Sequence, residues 1–323
     1  MDRLKKIQLI REKLAKGGYS IGTWIQIPHA SIAEIMGQAG YDWVAVDMEH
    51  GSISNSQLPD LFRALELGNT LPLVRLAEGE AKDCKQALDS GAGGLIIPMV
   101  ENAKQLENII CSALWPPSGK RGVGFSRANL FGKNFDNYEK EAQNPMIIAM
   151  IEHINAIDEL DNILNVERLD AILIGPYDLS ASMDLTAKFD DPKFIEAMQT
   201  IKSKSDKAKI PCGIHIVDPD KDELLKKIKG KALIICVLHA LKDLKRRGIN
   251  PDFVVHVDPI DLKSQKTDRQ GKQVSLWDQW ITENEFEEVE NFVVSNYSKP
   301  DIFDVPAKNV FWSRFVSNLD IRL

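Results

Sequence analysis

The sequence predicts an α/β protein built on a parallel (β/α)8 barrel, the TIM barrel, and three observations carry this prediction. Short apolar runs alternate with longer segments of helical periodicity through most of the 323 residues. The runs are apolar on both faces, which is typical of strands buried in a parallel sheet. Ionisable residues gather where the runs end, as they do at the carboxyl end of barrel strands. A doubly wound open sheet is the alternative architecture.

The candidate strands are short, and each is followed by a segment long enough for a helix. The eight runs are SIGTWIQI (20–27), WVAVDM (43–48), LPLVRL (71–76), GLIIPMV (94–100), MIIAMIE (146–152), LDAILIGP (169–176), CGIHIV (212–217) and ALIICV (232–237). The intervening segments have apolar residues at helical spacing, as in NSQLPDLFRALELG and AKDCKQALDSGA. Eight such units are the number that a closed barrel needs.

Composition limits the classes of partner and compartment. The formal charge of -7 gives no reason to expect nucleic acid or an anionic membrane as a partner. No apolar stretch approaches the roughly 18 residues of a membrane span, and the charged amphipathic N-terminus lacks the apolar core of a signal peptide. The four cysteines have no CxxC or zinc spacing. We therefore expect a cytoplasmic protein that acts on small molecules.

Six ionisable residues lie at the ends of candidate strands, where a barrel would bring them together. They are Asp47, Glu49 and His50 at the second run, Arg75 in the third, Glu152 at the end of the fifth and Asp178 after the sixth. Burying such groups is costly unless they are paired, so the cluster indicates either a satisfied structural network or a reaction centre.

The residue types suit the chemistry of an α-keto acid. Glu152 and Asp178 could supply oxygen ligands to a divalent ion and leave positions for water and substrate. Arg75 offers a planar fork for a carboxylate or an oxyanion. His50 can move protons near neutral pH. Together these groups would bind the keto acid and stabilise its enolate.

Each of these residues also has a structural interpretation. Arg75 would pair with Asp47 or Glu49, and Glu152 and Asp178 would lie at helix starts, where backbone amides stabilise carboxylates. A histidine at a strand end is more often a hydrogen-bonded structural residue than a base. Singly, the structural interpretation is favoured for each residue, whereas their concentration on one rim favours a site.

Residues from about 20 to 225 resemble the metal-dependent class II pyruvate aldolases, the 4-hydroxy-2-oxoheptanedioate and 2-dehydro-3-deoxyglucarate aldolase family. The stretches that carry the resemblance are GYDWVAVDMEH, PLVRL, ALDSGAGGLIIPMVENA, PPSGKRGVG, IEHINAIDELDNIL and DAILIGPYDLSAS. The resemblance implies a (β/α)8 barrel and a lyase that reversibly cleaves 4-hydroxy-2-oxo acids into pyruvate and an aldehyde.

The resemblance also implies a role for individual residues. Glu152 and Asp178 would hold Mg²⁺, Mn²⁺ or Co²⁺, and Arg75 would bind the pyruvate oxygens. His50 would be the acid/base residue, working through a metal-bound water, and Asp89 would be the carboxylate that orients its ring. The substrate carboxylate would bind to the backbone around Pro176, Tyr177 and Asp178. Members of the family are usually homo-oligomers, often hexamers that exchange a final helix.

The chain departs from the family in two places. Met150 occupies a position where relatives have Gln, which removes one polar substrate contact. From about residue 226 the pattern changes, and residues 226–323 resemble a fragment of the motility accessory factor family, glycosyltransferase-like proteins that modify flagellin.

We therefore expect an aldolase-type barrel over 1–225 and a divergent segment over 226–323. That segment would supply the last barrel strand and a C-terminal α/β appendage. Two further functional hypotheses follow from it: a catalytically impaired fusion or binding protein, and a sugar transferase linked to flagellin or nonulosonate modification.

Overall fold

Eight parallel strands hydrogen-bond in chain order, and the eighth pairs with both the seventh and the first, so that the sheet closes on itself. The strands are β1 (Ser20–Ile25), β2 (Trp43–Asp47), β3 (Leu71–Arg75), β4 (Gly94–Ile97), β5 (Met146–Ile151), β6 (Ala171–Ile174), β7 (Cys212–Ile216) and β8 (Leu233–Cys236). The prediction of a parallel, TIM-barrel-like α/β fold is confirmed. The open doubly wound sheet is excluded because β8 pairs with β1.

Helices follow the strands on the outside of the barrel, and one further helix precedes the first strand. The helices are α1 (Arg3–Ala15), α2 (Ala30–Gln38), α3 (Leu58–Leu67), α4 (Ala81–Ser90), α5 (Ala103–Ala113), α6 (Phe135–Ala142), α7 (Ile154–Asp158), α8 (Leu160–Leu164), α9 (Pro176–Ser182) and α10 (Pro192–Ala208). A 3-10 segment over Arg127–Gly132 precedes α6.

This computed structural model describes residues 1–216 and the strand segments 233–236, 265–267 and 273–275. The chain divides into two compact units, Met1–Asp243 and Leu244–Leu323. The first contains the barrel, and in the second the strands β9 (Gln265–Thr267) and β10 (Gln273–Ser275) pair antiparallel. The predicted eighth barrel helix, and all but these two strands of the predicted appendage, lie outside the described residues. In the described part of the chain, no helix is long and apolar enough to cross a membrane.

Alternate residues of the strands fill the barrel interior, as the two-residue repeat of a strand requires. At Gly22 a side chain is excluded, because an added Cβ would lie 2.2 Å from the ring of Trp43. Three residues of α1 join the interior cluster beside the first residues of the strands, so α1 closes the amino end of the barrel. The interior cluster comprises Ile7, Ile10, Leu14, Trp43, Ala45, Leu71, Leu73, Ile96, Met146, Ile148, Met150, Ala171 and Leu173, with Trp24 packed against it.

The same alternation determines which side chains enter the carboxyl end of the barrel. Asp47 follows Trp43 and Ala45, Arg75 follows Leu71 and Leu73, and Glu152 follows Met146, Ile148 and Met150, always in steps of two. The apolar interior therefore gives way to charged groups at the ends of β2, β3 and β5. This end of the barrel is where chemistry is located in parallel barrels generally.

Candidate active site at the carboxyl end of the barrel

A buried ion pair between Asp47 and Arg75 forms the floor of the site. The two residues are opposite each other in the ladder between β2 and β3, and Asp47 is fully buried. Arg75 Nε donates to Asp47 Oδ1 at 2.8 Å, and Arg75 Nη2 donates to Asp47 Oδ2. Burial disfavours the charged carboxylate, but the hydrogen bonds and charge of Arg75 outweigh it and hold the pKa of Asp47 below its usual value.

Glu49 and His50 extend this network toward solvent. The amide groups of both residues donate to Asp47 Oδ1, at 3.1 and 3.2 Å, which fixes the turn after β2. Glu49 Oε2 lies 3.1 Å from Arg75 Nη1 and 3.9 Å from His50 Nε2. The interpretation that Arg75 pairs with Asp47 or Glu49 is thus correct for both partners. The His50 side chain is 57% exposed, so it faces the open side of the site.

Glu152 is an almost completely buried carboxylate directly after β5. Its Oε1 accepts a hydrogen bond from the Met99 amide at 2.7 Å. Burial is the main reason that the pKa of Glu152 rises to about 7. The Met99 hydrogen bond and Arg75 oppose the rise, while the charges of Glu49 and Asp178 add to it. The caps of α7 do not include Glu152, because His153 is the N-cap of that helix.

Asp178 approaches Glu152 from the next connection. It lies in the first turn of α9, which begins at Pro176 after the N-cap Gly175. Gly175 has a steric reason to be glycine, since an added Cβ would lie 2.4 Å from Glu152 Oε2. Asp178 and Tyr177 are exposed, and the Tyr177 ring makes an edge contact with Phe189 at 5.1 Å between centroids.

Asp89 lies apart from this group. Its carboxylate pairs with Arg121, whose Nη1 donates to Asp89 Oδ1 at 2.9 Å, and the Arg121 side chain is fully buried. Asp89 is in the last turn of α4, which leads into the amino end of β4. His50 follows β2 at the opposite, carboxyl end. Within the described part of this chain, therefore, Asp89 and His50 are not brought together.

Three side chains of the site did not emerge from the sequence. Gln26 donates to Asp47 Oδ2 at 2.8 Å, and the Trp24 ring lies 4.6 Å from the Arg75 guanidinium carbon. The ring of His215, on β7, lies 5.6 Å from that of Trp24. All three lie near the carboxyl ends of predicted strands, and this position is the one feature of the sequence that could have identified them.

The charges of the site suit a divalent cation held by two protein carboxylates. The described residues contain no cluster of three or more His, Cys, Asp or Glu side chains that could hold a metal without other ligands. The negative charge of Asp178 is close enough to Glu152 to help raise the pKa of Glu152. The buried Glu49 Oε2 has no well-aligned hydrogen bond despite its proximity to Arg75. A cation between the carboxylates, with water and substrate completing its shell, would relieve both features.

Comparisons with known proteins agree with this arrangement. The HpcH/HpaI aldolase/citrate lyase family matches residues 20–234. The hydroxypyruvate/pyruvate aldolase of Roseobacter denitrificans is 36% identical over 63% of this chain and 80% of its own length. The 2-keto-3-deoxy-L-rhamnonate aldolase of Escherichia coli K12 is 35% identical over 65% of this chain and 79% of its own.

A solved structure gives the same result. A HpcH/HpaI aldolase/citrate lyase family protein from Burkholderia cenocepacia is 27% identical with a TM-score of 0.67, over 75% of this chain and 97% of its own. The predicted resemblance over about 20–225 and the prediction of a carbon–carbon lyase are confirmed. The resemblance of 226–323 to the motility accessory factor family stays a prediction. The chain belongs to the HpcH/HpaI aldolase/citrate lyase family.

Proposed function

We propose that this protein is a divalent-metal-dependent aldolase that cleaves 4-hydroxy-2-oxo acids into pyruvate and an aldehyde. The observation that carries the proposal is a buried Glu152 beside Asp178 and Glu49, with Arg75 in the same network. Relatives named for pyruvate and for a 2-keto-3-deoxy acid support the substrate class.

Glu152 and Asp178 would hold Mg²⁺, Mn²⁺ or Co²⁺. When bound, such a cation polarises the 2-oxo group and favours the development of negative charge on its oxygen. The two carboxylates come from the ends of adjacent strands, and Gly175 leaves space on the barrel side of Glu152.

The remaining steps belong to the protein's own side chains. Arg75 would donate to the substrate's 2-oxo oxygen with the guanidinium hydrogens not used by Asp47, while Asp47 keeps the guanidinium in place. The amides of Tyr177 and Asp178, at the open start of α9, would bind the substrate carboxylate. These contacts would hold the C3–C4 bond beside the exposed His50.

His50 would remove the proton of the C4 hydroxyl. The C3–C4 bond then breaks, C4 leaves as the aldehyde carbonyl, and the bonding electrons pass to C3 to form the pyruvate enolate. Protonation at C3 completes the formation of pyruvate. An exposed imidazole suits this role because the departing aldehyde must leave through the same opening.

A homo-oligomer and a role for Asp89 are connected parts of the proposal. Asp89 and Phe131 line one cleft of about 670 Å³. Around it the chain exposes Phe125 (74%) and Phe131 (70%), with Val123 and Leu130, which a second subunit would cover. Since Asp89 does not reach His50 within one chain, it would orient a His50 ring only across such an interface. Light scattering on the wild type and on Phe125→Ser/Phe131→Ser measures the assembly.

We further propose a complete (β/α)8 barrel in which 233–236 serves as the last strand. The pairing of β8 with β7 and β1 supports this.

The decisive experiment measures pyruvate release by the full chain from a racemic 4-hydroxy-2-oxo acid. It is run with Mg²⁺, Mn²⁺ or Co²⁺ and with a chelator, on wild type and on Glu152→Gln. Glu107→Gln is the matched control, because Glu107 is an exposed carboxylate in a surface ion pair. Metal-dependent release that is lost only in Glu152→Gln supports the proposal.

Two other outcomes would support the rival hypotheses. Metal binding by a folded wild type without turnover would mean an impaired fusion or a binding protein. Binding of a sugar nucleotide by the full chain, again without pyruvate release, would favour the sugar transferase. Either result would refute the aldolase proposal.

A further inference from the structure

His215 is a histidine inside the barrel that the proposed reaction does not use. It lies on β7, where every second residue enters the barrel, and it stands opposite Ile235 of β8 in the ladder. Its ring contacts Trp24, a side chain of the interior cluster. His215 therefore points into the barrel near its carboxyl end.

The ring nitrogens of His215 make no hydrogen bond to any residue that the structure describes. The Trp24 ring lies 4.6 Å from the Arg75 guanidinium carbon and 5.6 Å from the His215 ring. Neither contact uses the imidazole nitrogens, and the Trp24 Nε1 is also without a hydrogen bond. A polar ring that lies inside a barrel and has no hydrogen-bond partner among the described residues is a candidate to bind a ligand.

The register of the strands places His215 on the same level as the proposed metal ligand. Ile151 pairs with Ile174, and Ile174 pairs with Ile214, so Glu152, Gly175 and His215 follow at one level on three successive strands. Gly175, the middle position, has no side chain. The Glu152 carboxylate lies over Gly175, with Oε2 2.4 Å from where a Cβ would be, so no side chain at this middle position separates Glu152 from His215.

The surroundings of His215 keep its ring neutral. Burial is the main cause that lowers its pKa to about 4, and the Arg75 charge adds to this while Asp47 opposes it. At neutral pH the imidazole therefore has one donor and one acceptor nitrogen. Such a ring is matched to a hydroxyl group, which also donates and accepts, whereas an anionic group would be better bound by a cation.

We propose that His215 is a substrate-binding residue that hydrogen-bonds to a hydroxyl group on the aldehyde part of the substrate, so that the enzyme favours hydroxyaldehydes over unsubstituted ones. The inference rests on the proposed function, which already assigns the carboxylate and 2-oxo groups of the substrate to other residues. The hydroxyls of the aldehyde part are the polar groups that remain without a partner.

The test compares two aldehydes of nearly equal size in the aldol direction. The full-length enzyme, with Mg²⁺ or Mn²⁺, adds pyruvate to glycolaldehyde or to propionaldehyde, which replaces the hydroxyl by a methyl group. The ratio of the two kcat/KM values is measured for wild type, His215→Leu and His215→Gln. His29→Asn is the control, since His29 is an exposed N-cap of α2 and Asn retains the capping function.

We expect the ratio to fall by about 5- to 10-fold in His215→Leu, the usual effect of one lost hydrogen bond. It should recover in part in His215→Gln and stay unchanged in His29→Asn. A ratio that is unchanged in His215→Leu, or equal losses for both aldehydes, would overturn the inference in favour of a structural role for His215 beneath Trp24.

Deuterium exchange at C3 of pyruvate separates this inference from the proposed function. The exchange requires enolisation but no aldehyde, and we expect it to remain within about twofold of wild type in His215→Leu. Exchange that collapses together with both aldol rates would show that His215 supports the enolisation site, contrary to the inference. A folded wild type that shows neither exchange nor aldol addition would refute the proposed function and the inference with it.

Discussion

Gly175→Ala is the sharpest test of the site, because the added atom collides with the proposed metal ligand and with little else. The new Cβ would lie 2.4 Å from Glu152 Oε2 and 2.9 Å from Glu152 Cβ, whereas ordinary contacts begin at 3.4 Å. The carboxylate must therefore move by about 1 Å. Gly175 has a φ of -97°, which alanine adopts without strain. The fold should accept the change at a cost of about 1–3 kcal/mol, while the carboxylate loses its position.

A displacement of this size should lower kcat/KM by about 100-fold and weaken the binding of Mn²⁺ by a similar factor. Pyruvate release gives kcat/KM, titration calorimetry gives the metal affinity, and urea unfolding gives the stability. Gly124→Ala is the matched control, because nothing lies within 4 Å of its added Cβ. Metal affinity and kcat/KM within twofold of this control would refute the assignment of Glu152 as a ligand.

Three other predictions follow from buried ionisable groups. Burial raises the folded-state pKa of Glu152 from 4.5 to about 7. The contribution of Glu152 to the free energy of unfolding is therefore most favourable below pH 4.5 and is lost as the pH rises through 7. With chelator present, wild type should lose about 3 kcal/mol relative to Glu152→Gln between pH 4.5 and pH 8, and parallel stability curves would contradict this. Asp89→Ala should cost about 2–3 kcal/mol in urea unfolding, because the fully buried Arg121 side chain loses its carboxylate partner; an unchanged midpoint would contradict this. Cys84 is fully buried with its pKa raised to about 12, so mass spectrometry at pH 8 should find Cys111 alkylated by iodoacetamide before Cys84, and the reverse order would be contrary to expectation.

The site was predictable from sequence where its residues lie at the carboxyl ends of parallel strands. Asp47 and Arg75 end β2 and β3, and Glu152 directly follows β5. Carboxyl ends of parallel strands meet at one rim, so their proximity follows from the fold class alone. The network within that rim was less predictable, since Arg75 had two carboxylates to choose from and pairs with both.

Asp89 illustrates the limit of assigning a residue's role from its position in a family motif. In a βα unit the helix runs antiparallel to its strands, so the last turn of α4 returns to the amino end of the barrel. The motif ALDSGA identifies the residue but not the end of the barrel at which it lies. The sequence gives no geometry for a contact that a second chain would have to complete.

His215 and Trp24 were missed for a different reason. Each lies in an apolar run, and which of two neighbouring residues points inward depends on the register of the closed sheet. The register in turn depends on β8, which lies in the segment where the family resemblance changes. A polar residue in such a run could equally have been placed on the helix-facing side.

The charges at the barrel mouth connect metal binding with proton release. Asp47, Glu49, Glu152 and Asp178 supply four carboxylates, and Arg75 neutralises Asp47 through paired hydrogen bonds. Glu152 is the most buried of the remaining carboxylates, and this burial, with the charges of Glu49 and Asp178, raises its pKa to about 7 despite Arg75. A divalent cation would have to displace the proton of Glu152, so its affinity must fall as the pH drops below 7. The Asp47–Arg75 ion pair is thus balanced in charge without a ligand, whereas the buried Glu152 is balanced only by a proton or a cation.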